Sequence, residues 1–201
     1  IVKLVFFFLK QKIARLKVSS IIKNNKNVLI EVGAGDKKGE GGWITIDITK
    51  NCDFFWDLRN GIPFPNNSVQ KIYSSHFFEH LTYKEGQSFL EECLRVLKPG
   101  GLFLICVPNA RLFVDAYIEN KIKKTKLIGH LPAFNDTTPI DYLNYIAYMD
   151  EEHKYMFDIE NLIHILKSKG MINVKQRKFD HELDLKVRDY ESIYAIAEKA
   201  L

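Results

Sequence analysis

Residues that could bind a nucleoside stand at the ends of three apolar runs. The β-branched run Val28–Val32 leads into two glycines, Gly33 and Gly35, and two further runs end in carboxylates, Asp47 and Asp57. Glycine tolerates positive φ and lets backbone N–H groups approach a ligand closely. A carboxylate can accept hydrogen bonds from the hydroxyl pair of a ribose or from the exocyclic amine of adenine. The spacing therefore predicts a pocket for a nucleoside-containing ligand.

The distance between the glycines and the first acid indicates which cofactor fits. Asp47 lies twelve residues after Gly35, whereas a dinucleotide fold places this acid about 20 residues beyond its glycines, after a helix whose N-terminus binds the pyrophosphate. The connection 37–42 is short and rich in glycine, and parallel crossovers usually need a dozen residues or more. A cofactor without phosphate groups is therefore favoured over NAD, and a nicotinamide oxidoreductase is kept only as an alternative.

The third run, Cys52–Leu58, contains two acids that compete for one role. Asp57 stands at the predicted carboxyl end of the strand, where open α/β sheets bind ligands, and Leu58 offers a backbone N–H beside it. We therefore predict that Asp57 and Leu58 contact an adenine, and Asp53 remains the alternative acid.

The other apolar runs complete a sheet. They predict a fourth strand at Val69–Ser74, a fifth at Leu102–Val107, and the last two at Met171–Lys175 and Ser192–Ala197, which gives seven strands. The helix before the fifth strand is predicted to end at Lys98–Gly101, because proline stops a helix and glycine turns the chain. The sequence thus predicts an α/β fold.

The chain resembles the class I S-adenosylmethionine-dependent methyltransferases, and within them the small type 11 group. Four segments in order carry the resemblance: Pro-Phe-Pro-Asn-Asn-Ser at 63–68, Ile-Tyr-Ser-Ser-His at 72–76, Phe-Glu-His-Leu at 78–81 and Arg-Val-Leu-Lys-Pro-Gly-Gly at 95–101. The resemblance covers 28–109 closely and 153–199 more loosely. It implies a Rossmann-like, doubly wound sheet of seven mostly parallel strands, with an antiparallel last strand and a shortened first crossover helix.

The resemblance also implies the cofactor, S-adenosylmethionine, with S-adenosylhomocysteine as the product. The first motif would hold the methionine end, Asp47 the ribose, Asp57 and Leu58 the adenine, and the tip of the fourth strand would lie near the transferable methyl group. The implied cofactor contacts are Glu31, Gly33, Ala34, Gly35, Asp47, Ile48, Asp57, Leu58, Ser75 and His76. Lys37 stands near the place where a third glycine is common, so a cofactor-binding but non-catalytic partner protein stays an alternative.

The implied reaction is an in-line displacement, in which an oxygen, nitrogen or carbon of the acceptor attacks the sulfonium methyl group. Alignment of the reactants can be worth up to ~7–11 kcal/mol. A hydroxyl nucleophile would also need a base, and a neutral histidine can accept its proton. The candidates, in order, are His76 at the tip of the fourth strand, His153 at the end of the acceptor-side insert, and His80. Each of them could instead be structural.

The insert at about 109–153 is predicted to choose the acceptor, because it is longer than a minimal crossover. Helices are predicted at 111–118 and 142–149, on either side of a loop at 129–139. The type 11 group is often found beside glycan-biosynthesis genes, so the resemblance implies a small-molecule or glycan-type acceptor.

The C-terminal part is predicted to contain one amphipathic helix and a polar loop. The helix is predicted to open at His153–Asp158 and to end before Gly170, with its apolar residues on one side. The charged residues of 180–189 are predicted to be solvated rather than catalytic.

Composition agrees with a single domain at 28–201. The chain has 201 residues, of which 46% are hydrophobic, and 29 basic residues against 25 acidic ones give a net charge of +4, too little to favour a nucleic-acid partner. Cys52, Cys93 and Cys106 lack metal-ligand spacing and are expected to be reduced thiols of a cytoplasmic protein. No metal site is predicted.

The segment 1–27 is predicted to be a basic amphipathic helix. Its longest apolar run, 4–9, is much shorter than the ~18–20 residues that span a bilayer. Two interpretations stay open: contact with a membrane surface, or packing on the domain, where the helix could cover the cofactor cleft.

Overall fold

The structure, a computed structural model, describes residues 13, 16–121 and 137–201. Its described part contains one seven-stranded sheet of order β3-β2-β1-β4-β5-β7-β6, in which only β7 runs antiparallel to its neighbours. The predicted fold is confirmed. The strands are β1 Val28–Val32, β2 Trp43–Asp47, β3 Phe54–Phe55, β4 Val69–Ser75, β5 Leu97–Pro108, β6 Ile172–Gln176 and β7 Ser192–Glu198.

Five helices accompany the sheet in the described residues. They are α1 at 16–24, α2 Tyr83–Val96, α3 Ala110–Ile118, α4 Ile140–Tyr148 and α5 Ile159–Ser168. Three short 3-10 turns lie at Leu58–Asn60, Phe78–His80 and Lys186–Glu191. The first two of these turns follow β3 and β4, so they sit at the carboxyl edge of the sheet.

The start of α2 is set by a capping box. The hydroxyl of Thr82 accepts the Glu85 N–H at 3.3 Å, while the Glu85 carboxylate accepts the Thr82 N–H at 2.9 Å. Phe89, Leu90 and Cys93 then bury one face of the helix in the main core. The capping residue Thr82 lies two residues after the turn Phe78–His80, so α2 follows that turn closely.

The core lies under the parallel strands, whose residues are buried on both faces. Ile30 in β1, Ile46 in β2, Ile72 in β4 and Ile105 in β5 have no exposed surface. Such continuous apolar strands are typical of parallel sheets covered by helices. A second, smaller cluster joins α3 to α4.

The first crossover differs from the prediction of a shortened helix, because residues 33–42 contain no helix. The carboxylate of Asp53 holds the crossover instead. It accepts the N–H groups of Gly39 at 3.0 Å and Thr45 at 3.1 Å, and also the hydroxyl of Thr45. These bonds lower the pKa of Asp53 although burial opposes them. Asp53 therefore braces the backbone of the crossover.

The third strand is shorter than predicted. Only Phe54–Phe55 pairs with β2, because Asp57 accepts the Arg59 N–H and caps the 3-10 turn Leu58–Asn60. A capping residue leaves the extended ladder, so the strand cannot continue to Leu58.

The fifth strand begins earlier than predicted. It starts at Leu97, directly after α2, and includes the predicted turn 98–101. Its register against β4 shifts between the pairs Val69–Leu97 and Lys71–Leu102, so the intervening residues form a bulge with Gly100 at φ +72°.

The helix α5 begins later than predicted. The side chain of Asp158 accepts the Asn161 N–H at 2.8 Å and caps a helix that starts at Ile159. Residues 153–158 contain no helical turn, and Phe157 forms an isolated bridge with Asn109. His153 therefore lies on an irregular segment between α4 and α5.

The predicted solvated loop at 180–189 contains one buried charge, so that prediction is wrong for Asp184. Its side chain is 1% exposed, pairs with Arg177, and accepts the hydroxyl of Tyr73 at 2.9 Å. Other charged residues of the loop, such as Glu182 and Lys186, are exposed.

The described part of the N-terminal segment packs on the domain. Val18 of α1 is buried in the main core, and Ile21 and Ile22 pack against it. None of the described residues of α1 lines the two cavities at the sheet's carboxyl edge. In the described ranges no helix is long and apolar enough to cross a membrane. The apolar run at 4–9 and residues 129–136 of the predicted loop 129–139 lie outside the described residues.

Candidate functional site

Two cavities lie at the carboxyl edge of the sheet, on either side of the loop after β1. The larger has a volume of about 470 Å³ and the smaller about 160 Å³. Every one of the ten predicted cofactor contacts lines one of them. Asp47, Ile48, Asp57 and Leu58 line the larger cavity, and Glu31, Gly33, Ala34, Gly35, Ser75 and His76 line the smaller one.

The two cavities divide the predicted contacts by the part of the cofactor they would hold. The residues assigned to ribose and adenine share the larger cavity, and those assigned to the methionine end and the methyl group share the smaller one. The separation follows the strand order, because β2 and β3 lie on one side of β1 and β4 lies on the other.

The carboxylate of Asp47 organises the glycine turn. Oδ2 accepts the Gly35 N–H at 2.9 Å, and Oδ1 accepts the Ile48 N–H at 2.6 Å. Gly35 has φ +68°, and a Cβ added there would meet nothing within 4 Å. The open side of Gly35 therefore leaves room for a ligand against the backbone.

Asp57 is engaged by its neighbour Arg59. Its Oδ1 accepts the backbone N–H and the Nε–H of Arg59, both at 3.0 Å, and Oδ2 accepts from Nη2 at 2.8 Å. The Arg59 bond lowers the pKa of the Asp57 carboxyl. Asp57 thus stays ionised at neutral pH and can accept a further donor on the cavity side.

An ion pair stands in the smaller cavity at the methionine end. The ammonium of Lys37 lies 2.7 Å from Oε1 of Glu31, and both residues line the cavity. Burial raises the pKa of the Glu31 carboxyl, and the contact with Lys37 opposes that rise. The residue that replaces a third glycine therefore supplies a cation next to the acid of the first motif.

The loop after β1 is covered by an aromatic side chain. A Cβ on Gly33 would lie 2.2 Å from Cγ of Phe77, so the ring of Phe77 rests directly on this glycine. Phe77 lines the larger cavity and Gly33 lines the smaller one. The cleft is therefore divided at the contact between these two residues.

His76 is held inside the protein at the tip of β4. Its Nε2 lies 2.8 Å from the hydroxyl oxygen of Ser192, and its Nδ1 lies 3.6 Å from Oε1 of Glu79. Burial lowers its pKa to about 3, so the ring is neutral. Both ring nitrogens therefore have contacts within the protein.

His80 and His153 stand edge to face, with ring centroids 5.1 Å apart. Nδ1 of His80 lies 3.0 Å from the carbonyl oxygen of Glu152, and Nδ1 of His153 lies 2.8 Å from that of Ile146. His80 is 29% exposed and lines the larger cavity, whereas His153 is buried and lines neither. Burial lowers the pKa of His153.

Glu79 is a site residue to which the sequence analysis assigned no role. It lies between His76 and His80 in contact with both, and its side chain is 2% exposed. Neither carboxylate oxygen has a hydrogen-bond partner among the described residues. Burial raises its pKa to about 8. The Glu-His pair after the fourth strand was the signal that could have identified it.

Comparisons with known proteins agree with this geometry. Residues 55–105 match the family model described as "Methyltransferase domain". A probable S-adenosylmethionine-dependent methyltransferase of Mycolicibacterium smegmatis is 41% identical over 61 residues, which cover 28% of this chain and 23% of that protein. A demethylmenaquinone methyltransferase of Tropheryma whipplei is 26% identical over 125 residues, covering 61% of this chain and 49% of that protein.

The fold is also that of solved methyltransferases. The crystal structure of a SAM-dependent methyltransferase from Archaeoglobus fulgidus is similar with a TM-score of 0.52 and 17% identity, over 94% of each chain. The matched part spans less than half the length of the curated relatives. The partial sequence matches and the shared fold agree with the resemblance to class I S-adenosylmethionine-dependent methyltransferases that the motifs carry.

Proposed function

We propose that this chain, which has the fold of the class I S-adenosylmethionine-dependent methyltransferases and matches a methyltransferase family model over 55–105, binds S-adenosylmethionine across the two cavities and transfers its methyl group to a small-molecule or glycan-type acceptor. One observation carries the proposal. All ten residues that the motifs assigned to the cofactor line these cavities, and they divide between them as the two ends of the cofactor would.

The residues of the smaller cavity fit the amino-acid end of the cofactor. This end carries an ammonium and a carboxylate, and the Glu31–Lys37 pair offers one charge of each sign on the same wall. Charge-assisted hydrogen bonds of this kind are about twice as strong as neutral ones. In this proposal Glu31 binds the ammonium and Lys37 binds the carboxylate.

The residues of the larger cavity fit the nucleoside end. Asp47 still has acceptor capacity for ribose hydroxyls, because a carboxylate offers about four lone pairs and its bonds to Gly35 and Ile48 use two. Asp57 accepts the adenine amine beside Leu58. Trp56 and Leu58 supply apolar wall for the adenine ring.

Bound S-adenosylmethionine supplies a methyl group on a sulfonium, and the thioether of S-adenosylhomocysteine that departs is a good leaving group. The chain therefore mainly aligns the acceptor for displacement. Gly35 leaves its backbone open to the ligand, and Ser75 and His76 line the smaller cavity. The base role predicted for His76 stays a prediction. To act as a base, the His76 ring must rotate. Nε2 has to break its hydrogen bond to Ser192, or Nδ1 has to turn away from Glu79, before either nitrogen can take a proton from the methyl acceptor.

The acceptor enters, in this proposal, by the larger cavity. Its lining includes residues of the insert to which acceptor choice was assigned, namely Asp150, Glu151 and Glu152, and also Lys154. These polar groups suit a hydroxyl-rich small molecule or a sugar better than a polyanion, because the carboxylates would repel phosphates.

Binding and turnover test the proposal separately. Calorimetric titration with S-adenosylmethionine is expected to show one site, and a labelled-methyl screen of sugars, glycan intermediates and small hydroxyl or amine compounds is expected to reveal incorporation. Binding without turnover on any acceptor would favour the non-catalytic partner. Absence of binding would overturn the proposal, and tight binding of NAD instead would favour the oxidoreductase.

A further inference from the structure

Glu79 is a buried carboxylate that lacks a partner. Its side chain is 2% exposed, and neither oxygen accepts a hydrogen bond from any residue that the structure describes. A buried charge without a partner is costly, and such groups are normally paired or bound to a metal. The neighbours of Glu79 show which kind of partner is missing.

The proton positions of the neighbouring histidines follow from their contacts. A carbonyl oxygen can only accept, so His80 must carry its proton on Nδ1 to bond Glu152, and His153 must do the same to bond Ile146. In a neutral imidazole Nε2 is then a lone pair. Both rings therefore present a lone pair, and no proton, on the Nε2 side.

The Nε2 lone pair of His80 lies near Glu79, and His153 belongs to the same compact cluster. Nε2 of His80 lies 3.9 Å from Oε1 of Glu79, and one ligand atom each of Glu79, His80 and His153 lie within 4.8 Å of one another. A carboxylate and two imidazole lone pairs facing one point repel each other. They attract a cation placed between them.

A third histidine, His76, also presents a nitrogen lone pair toward Glu79. The hydroxyl of Ser192 donates to the carbonyl of Arg188 at 2.6 Å, so it can only accept from Nε2–H of His76. Nδ1 of His76 is then the lone pair, 3.6 Å from Oε1 of Glu79. His76 therefore adds to the excess of acceptors around this carboxylate.

We propose that Glu79, His80 and His153 bind a divalent first-row transition ion of the Zn²⁺, Mn²⁺ or Fe²⁺ type. Two imidazoles and one carboxylate are a ligand set of catalytic zinc and non-haem iron sites, whereas Mg²⁺ and Ca²⁺ prefer oxygen ligands throughout. Ligand atoms around a tetrahedral ion with ~2.1 Å bonds lie about 3.4 Å apart, so ligand atoms that lie within 4.8 Å of one another must approach by up to about 1.4 Å on binding.

The backbone already places the three ligands side by side. The carbonyl of Glu79 accepts the N–H of Lys154 at 2.7 Å and of Tyr155 at 3.2 Å, which ties the segment after α4 to the turn after β4. The bonds of His80 and His153 to backbone carbonyls are the outer contacts that fix a metal-binding imidazole in one tautomer.

The ion would stand at the wall of the larger cavity. His80 lines that cavity, whereas Glu79 and His153 are buried and do not line it. Three protein ligands leave at least one position open for water or for an oxygen of a bound molecule. Ion binding itself does not depend on the proposed methyl transfer.

The test is a titration of the metal-free chain with Zn²⁺, Mn²⁺, Co²⁺ and Mg²⁺, followed by calorimetry and, for Co²⁺, by its visible spectrum. We expect about one transition ion per chain and Mg²⁺ binding at least tenfold weaker. Glu79→Gln and His80→Ala are each expected to weaken Zn²⁺ binding by tenfold or more. His164→Ala removes an exposed histidine outside the cluster and is expected to change nothing, so it controls for surface binding.

His80→Ala keeps the test valid if Glu79→Gln does not fold, because the His80 side chain is partly exposed. No binding of any transition ion, or Zn²⁺ binding that both variants leave unchanged, would overturn the proposal. Either result would favour the alternative that Glu79 is protonated and binds no metal ion. Preference for Mg²⁺ would overturn it as well. S-adenosylmethionine binding to the metal-free chain is measured in parallel, so a failed metal site and a failed cofactor site give different results.

Discussion

Phe77 packs directly on Gly33, with its Cγ 2.2 Å from the position that a Cβ of residue 33 would take. Gly33 also has φ +68°, a backbone conformation that costs an L-residue about 1–2 kcal/mol. The glycine is thus required twice, by the backbone and by the aromatic ring above it.

Gly33→Ala is therefore expected to lower both stability and cofactor affinity. The methyl group must displace the Phe77 ring in addition to adopting the strained φ, so we expect a loss of about 2–4 kcal/mol in the free energy of unfolding. Thermal unfolding and titration with S-adenosylmethionine measure the two effects.

Gly35→Ala is the matched control. It has the same φ of +68° but open space around its Cβ, so we expect only the backbone cost of about 1 kcal/mol. In a Phe77→Ala background, Gly33→Ala should cost much less stability than it does in the parent chain, because the ring is no longer there to be displaced. Equal losses at the two glycines would show that the ring contact is unimportant.

Strands with an uninterrupted apolar pattern could be predicted from the sequence. The bounds of β1 and β2 agree with prediction, because β-branched runs bounded by glycine or charge leave one arrangement for a buried parallel strand. The third strand could not be predicted to its end. There the capping bond of Asp57 to Arg59 competes with the ladder, and hydrophobicity does not report such local bonds.

The candidate site was predictable where strands that follow each other in sequence are also neighbours in the sheet. Asp47 and Asp57 end neighbouring strands, so their side chains share a cavity. Asp184 was missed because the Tyr73 hydroxyl that it binds is distant in sequence, so spacing along the chain carries no information on the contact. Glu79 was missed because acidic residues are normally exposed, and the pattern of a Glu between two His does not show that this one is buried.

Lys37→Ala is expected to weaken S-adenosylmethionine binding about tenfold, because it removes the cation proposed to hold the carboxylate of the methionine end. Binding of methylthioadenosine, which has no amino-acid end, should stay unchanged. Calorimetry with both ligands gives the comparison. Tighter S-adenosylmethionine binding by the variant would mean that Lys37 competes with the ligand for Glu31.

Asp57→Ala is expected to weaken the binding of S-adenosylmethionine and methylthioadenosine alike, by about tenfold, since the adenine amine loses a charged acceptor. Asp53→Ala is the control. Its carboxylate braces Gly39 and Thr45 and lines neither cavity, so it should lower the melting temperature and leave the affinity of the folded protein nearly unchanged. The opposite pattern would move the adenine contact to Asp53.

Glu92 should make stability depend on pH. Its carboxylate binds Arg95 at 2.6 Å and accepts the Ile62 N–H at 2.8 Å, and the Arg95 bonds lower its pKa below the ordinary 4.5. A lowered folded-state pKa stabilises the protein above the ordinary pKa, and the gain is lost as pH falls through the lowered value.

Glu92→Gln is therefore expected to be less stable than the parent chain by about 1 kcal/mol at pH 7, with the difference shrinking below about pH 4. Urea unfolding between pH 3 and pH 7 measures it. Glu91→Gln, at an exposed neighbour that pairs with Lys169, serves as the control and should show a much smaller effect. A difference that grows toward acid would contradict the assignment.

The buried pair Arg177–Asp184 is expected to show the largest effect on stability. Asp184 accepts from Nη2 of Arg177 at 2.6 Å, from the Asp180 N–H at 2.8 Å and from the hydroxyl of Tyr73 at 2.9 Å. Removal of one partner leaves an uncompensated buried charge, so Asp184→Ala should cost about 3–5 kcal/mol in the free energy of unfolding.

The double variant Arg177→Met/Asp184→Leu removes both charges and should recover a large part of that loss, because an apolar pair of similar volume avoids the desolvation penalty. Arg111→Ala, which breaks an exposed ion pair with Asp115, should barely change the melting temperature. Denaturant unfolding of the four proteins, including the parent chain, measures the coupling. If Asp184→Ala and Arg111→Ala behave alike, the loop 180–189 is solvated, as the sequence pattern predicted.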